Sequence, residues 1–220
     1  MSDAVESVQS SRPDTALLFG LRSLQIASAL LGVVLLLIIF SPTQNAVVGR
    51  TIELTISVLW LIGLGGLTRT PAESRVRPIG ILAFLSYLLG LTFSVLPTEL
   101  FGVTSREVAI LNPASLQLAF FALLLVSVVA LLTAMRRLVL WLGDRRRHES
   151  FLWVSRVLRG AIILLLVIWR VPMSSEIALV LTIVFGMTVG VCCIRLSILF
   201  GTVRRGIAQR GLMSLPQVFD

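Results

Sequence analysis

In 220 residues the chain carries 56% apolar and 14% charged side chains, with a mean hydropathy of +0.98. This excludes an ordinary water-soluble domain, where charged residues alone run near 25%. The formal charge of +8 comes from nineteen arginines and no lysine, so a retinal or pyridoxal Schiff base, a Ser-Lys dyad and a P-loop lysine are all excluded.

Residues 1–16 are polar, mixed in charge and interrupted by Pro13, the composition of a disordered tail. Six apolar runs follow, at about 17–40, 46–67, 79–96, 114–135, 151–171 and 177–200. About 20 apolar residues let a helix cross roughly 30 Å of hydrocarbon, so 17–200 is expected to be an all-α integral membrane bundle of six transmembrane helices. Pro42, Pro78, Pro97 and Pro172 mark breaks between runs, and Asn112-Pro113 reads as a helix start with Asn as the cap. Residues 201–220 form a basic tail, weakly amphipathic and expected to lie on the membrane surface.

The arginines orient the bundle. The stretch 136–150, RRLVLWLGDRRRHES, reads as an arginine-rich loop between the fourth and fifth runs, and such loops stay cytoplasmic. With this loop inside, sixteen of the nineteen arginines fall on the inner side, and only Arg50, Arg106 and Arg170 fall outside. Both termini are therefore expected in the cytoplasm, and a prokaryotic cytoplasmic membrane is the expected location. Arg136, Arg137, Arg145, Arg146 and Arg147 are candidates for contact with anionic headgroups or a partner, and nucleic acid is not expected.

Lipid gives helices no hydrophobic reason to associate, so small residues that allow close backbone approach become important. Gly186 and Gly190 form a GxxxG in the sixth run, with Thr182 one turn earlier; Gly32 follows Ser28, and Gly90 follows Ser86, at the same spacing. These are the packing candidates, and GLGG at 63–66 is a further close-approach point.

Catalytic groups are scarce. The lone histidine, His148, sits among arginines, and all four aspartates lie outside the apolar runs, so di-histidine haem, zinc protease, Ser-His and intramembrane aspartyl protease chemistry are excluded. Cys192 and Cys193 are adjacent in an apolar run and read as packing residues. No metal and no cofactor is expected. Thr188-Val189-Gly190-Val191 resembles the start of the potassium-channel TVGYG filter, but it lacks the tyrosine and second glycine and carries no function over.

What remains in the runs is polar and mostly uncharged. Gln25, Ser28, Ser86, Tyr87, Gln117 and Thr182 are candidates to line a path for a small solute, and Arg50, Glu53, Glu99 and Arg170 could form an outer polar cluster. The leading expectation is a channel, or the membrane unit of a transporter, without a catalytic centre of its own. A non-catalytic accessory subunit of a larger membrane complex is the alternative, and a lipid-modifying enzyme using the outer cluster is the third. A homo-oligomer or a subunit of a membrane complex is expected.

Overall fold

A computed structural model describes the backbone of residues 15–40, 46–70, 74–99, 113–170 and 174–213. Its elements are six helices: α1 (Thr15–Phe40), α2 (Ala46–Leu67), α3 (Arg77–Glu99), α4 (Pro113–Trp141), α5 (Arg145–Arg170) and α6 (Ser175–Met213). Four carry stretches long and apolar enough to cross a membrane, at Thr15–Ile38, Phe121–Trp141, Arg145–Ile168 and Ser175–Gln209. The apolar stretches of α2 and α3, Thr51–Leu67 and Arg77–Thr92, are shorter. The expected tail at 1–16 and connection at 97–112 lie largely outside the described residues.

Each helix packs antiparallel against its neighbour in sequence, and α1 against α6 closes the ring. The α1–α2 and α1–α6 contacts are set by glycine. A Cβ at Gly20 would lie 2.6 Å from the Gly66 Cα, and one at Gly63 would overlap the Leu24 side chain. On the other flank of α1, a Cβ at Gly32 would lie 2.9 Å from the Gly190 carbonyl oxygen, and one at Gly201 would meet the Gln25 amide at 2.9 Å. Between α5 and α6, Phe151 and Phe200 pack with ring centroids 6.1 Å apart. A buried cross-helix hydrogen bond from Ser127 Oγ to the Ala83 carbonyl, 2.9 Å, ties α4 to α3.

Burial is lopsided along the helices. The core runs from Leu17 to Ala27 on α1, Ile56 to Leu67 on α2, Val76 to Tyr87 into α3, Ala130 to Leu142 into and just past α4, Phe151 to Ala161 on α5 and Cys192 to Val203 on α6. All of these lie toward the end where the arginines cluster. Toward the other end the large apolar residues are exposed, among them Leu37, Leu54, Leu89, Phe121, Ile163 and Leu179.

The segment expected as a loop at 136–150 is mostly helical. Arginine is a good helix former, so α4 continues through Arg136 and Arg137 to Trp141, and α5 already begins at Arg145. The turn is made by two caps in sequence. Gly143, at φ +71°, ends α4, with the Gly143 N–H donating to the Leu140 carbonyl and the Asp144 N–H to that of Val139. Asp144 then caps α5, its Oδ1 accepting the Arg147 N–H at 3.0 Å.

Residues 201–213, the first part of the expected basic tail, continue α6 without a break. Gly201 lies against Gln25 of α1 and Gly206 against Arg147 of α5. Likewise α3 runs to Glu99 rather than ending at Pro97, although the proline has no N–H to donate and so leaves the ladder one hydrogen bond short there.

Replacing Gly66 with Ala should destabilise the bundle by about 1–3 kcal/mol, the usual cost of overpacking. Gly160→Ala, where a Cβ meets nothing within 4 Å, should be neutral or stabilising. Thermal unfolding of the detergent-solubilised variants reads both.

Candidate functional site

Two regions hold the polar residues singled out above: the seams between helices and the arginine-rich end. In the seams, most hydroxyls are satisfied within their own helix. Thr182 is exposed and donates to the Ala178 carbonyl at 2.7 Å, and Thr188 does the same to Val184. Thr55, Thr92 and Thr133 also donate to carbonyls three or four residues earlier. This is how a hydroxyl is accommodated where no water competes.

Three other candidates are buried. Tyr87, on α3, packs against Trp60 of α2 with ring centroids 6.3 Å apart and a 35° tilt, and Ser57 and Glu53 of α2 lie near its hydroxyl. Ser86, beside it, is 6% exposed. Ser28 is fully buried on α1, and its hydroxyl has no hydrogen-bond partner; the Trp60 indole N–H is likewise buried and unpartnered. Unpaired buried polar groups are costly enough to be few in folded proteins. Gln25 is half-buried against Gly201, and the Gln117 side chain lies outside the described residues. Thr182 therefore sits apart from the buried group.

Of the outer polar cluster, Glu53 is exposed on α2, while the side chains of Arg50, Glu99 and Arg170 lie outside the described residues. Of the packing candidates, Gly32 and Gly190 face each other across α1 and α6, Gly90 is buried on α3, and Gly186 is half-buried. Among the described residues, no group of three or more His, Cys, Asp or Glu could hold a metal ion.

At the arginine-rich end an open pocket of about 390 Å³ is lined by Leu142, Gly143, Asp144, Arg145, Arg146, Arg147 and Gly206. Arg147 Nε pairs with Asp144 Oδ2 at 3.0 Å, while Arg145 and Arg146 are exposed. A Cβ at Gly206 would come within 2.9 Å of Arg147 Nη1, so the guanidinium rests directly against α6 at the glycine. Arg137 Nη1 donates to the Arg75 carbonyl at 3.4 Å, tying the end of α4 to the turn before α3. Arg136 Nε and His148 Nδ1 are buried atoms without a hydrogen-bond partner.

Two features escaped the residue pattern. Trp60 joins Tyr87 in the α2–α3 seam, though nothing but its place in an apolar run marked it. Arg195, within the sixth apolar run, lies 4.2 Å over the Trp153 ring of α5; its signal was that no other charge occurs between Ile177 and Phe200.

No protein-family model matches the chain, nor does any curated protein or solved structure.

Replacing Asp144 with Ala removes both the α5 cap and the partner of Arg147. It should cost about 0.5–2 kcal/mol, the range for a lost helix cap, and the midpoint of thermal unfolding checks it.

Proposed function

We propose that the chain is a multi-pass membrane protein with six spans and both termini on the cytoplasmic side of a prokaryotic membrane. In this reading it serves as a non-catalytic subunit that organises partners and anionic lipid. The observation that carries it is the unequal burial of the helices. The apolar stretches of α5 and α6 are each 17% buried, against 44% for α4 and 33% for α1. Two antiparallel helices, closely packed only toward the arginine-rich end, thus leave a broad apolar face open for lipid or for another membrane protein. The sixteen arginines toward one side supply the orientation.

A second reading, a channel or the membrane unit of a transporter for a small solute, is favoured by one observation. Ser28 and Trp60 hold unpartnered polar atoms inside the packed half, which a polar solute could satisfy. Against it, the exposed threonines bond to their own helices, and Thr182 does not join Ser28, Ser86 and Tyr87. The lipid-modifying enzyme has the least support, since of its expected outer cluster only Glu53 falls among the described side chains.

Extraction in mild detergent followed by native mass determination separates the first two. The subunit reading predicts a stoichiometric foreign protein, released when exposed Leu179 and Val180 of α6 are both replaced by Ala. A homogeneous species that passes solute in liposomes, and loses flux in a Ser28→Leu variant, contradicts it and supports the transport reading.

A further inference from the structure

We infer that the α5–α6 seam binds the phosphate of an acidic phospholipid, with Arg195 and Arg156 as its ligands and Trp153 as the platform beside them. The inference rests on the membrane reading and adds a defined lipid site to it.

Arg195 is exposed on α6 although Cys192, Cys193, Leu196 and Ser197 around it are buried. Its guanidinium lies 4.2 Å from the centroid of the Trp153 ring, and Trp153 is itself 42% exposed. Stacking on an indole fixes the guanidinium plane while leaving its edge, where the N–H donors lie, free for a planar or bidentate acceptor. Arg156, also exposed, lies one turn beyond Trp153 on the same helix. Arg159 lies a further turn along and already donates to Ser155 Oγ at 3.3 Å, so its fork is partly used. Among the described residues the recorded ion pair is Arg147 with Asp144, and neither Arg156 nor Arg195 is paired with a carboxylate.

The depth of these arginines selects the ligand. At 1.5 Å per residue the 26 residues of α5 span about 39 Å, roughly 9 Å more than the hydrocarbon. With Arg170 at the far boundary, Trp153 lies about 5 Å and Arg156 about 9 Å inside the near one, where tryptophan concentrates and a long arginine snorkels to phosphate. At that depth a guanidinium is partly out of water, so an anion held beside it is stabilised more than it would be in bulk water.

The surroundings make that anion amphipathic. Val184, Met187, Val191, Arg195 and Ile198 recur at helical spacing as one exposed stripe of α6. The apolar part runs from Arg195 toward the opposite end of the bundle, where an acyl chain hanging from a phosphate would lie. A soluble phosphate or an acidic peptide would leave that stripe unused.

The test uses the full chain in mild detergent with equal amounts of phosphatidylglycerol and phosphatidylcholine, counting bound lipids by native mass. Wild type should retain phosphatidylglycerol preferentially. Arg156→Gln with Arg195→Gln should lower that preference about tenfold, the size of a lost charge-assisted hydrogen bond. Arg156→Lys with Arg195→Lys should keep most of it, and Arg69→Gln with Arg77→Gln, which removes the same charge from exposed positions elsewhere, should leave it unchanged. An unchanged preference in the Gln variant overturns the site, as does equal retention of the two lipids by wild type. Binding of a polyglutamate peptide at these arginines in place of phosphatidylglycerol overturns it too. Carbonate washing of membranes separates the underlying reading: a chain released by the wash overturns the membrane assignment, whereas a retained chain with an unaffected lipid preference overturns only the lipid site.

Discussion

Close backbone contact on both sides of α1 is the constraint on which the bundle depends. Helices immersed in hydrocarbon gain nothing from hiding apolar surface, so attraction must come from dense packing and from polar groups that find each other. Gly20 against Gly66 brings α2 onto one flank, and Gly32 against Gly190 brings α6 onto the other. Because α1 and α6 are the first and last helices, the second contact turns a chain of hairpins into a closed ring. The bulky partners, Leu24 beside Gly63 and Leu36 beside Gly190, fill the space beside the glycines. A side chain at Gly20, Gly66 or Gly32 would meet the partner helix's backbone within 3 Å and push the helices apart.

The polar groups are arranged around the same constraint. Threonines exposed on the bundle's surface spend their hydroxyls on their own helix carbonyls, whereas Ser127 reaches across to the Ala83 carbonyl of α3, and Tyr87 packs on Trp60 across the α2–α3 seam. Both contacts fall in the packed half, where they add to glycine contact. The charges lie further toward the same end. There the paired caps Gly143 and Asp144 turn α4 directly into α5, and Arg147 folds back onto Asp144 and rests against Gly206.

Much of this architecture was legible in the residues. Six apolar runs become six helices, and Pro113 stands at the start of α4. The small residues at 32, 63, 66 and 190 sit at helix contacts. The arginine-rich stretch was harder, because a cluster of charges looks like a loop while arginine itself favours helix; the turn was encoded by Gly143-Asp144 alone. The same bias hid the continuation of α6, where three arginines suggested a separate tail. Convergence of the polar residues was not legible at all. Whether Ser28, Tyr87 and Thr182 meet depends on helix rotation, which a six-helix apolar sequence encodes only weakly, and Thr182 turns outward. The meeting of Arg195 with Trp153 depends likewise on the register of α5 against α6.

The most direct test of this account is the sidedness of its arginine-rich end. In a variant with Cys192 and Cys193 replaced by Ala, a single cysteine at Arg145 and, separately, one at Thr104 would be treated in intact cells with a membrane-impermeant thiol reagent. The account predicts that position 104 reacts in intact cells and that position 145 reacts only after the membrane is opened. Labelling of position 145 from outside, with position 104 protected, would contradict the orientation and the placement of the arginine-lined surface in the cytoplasm.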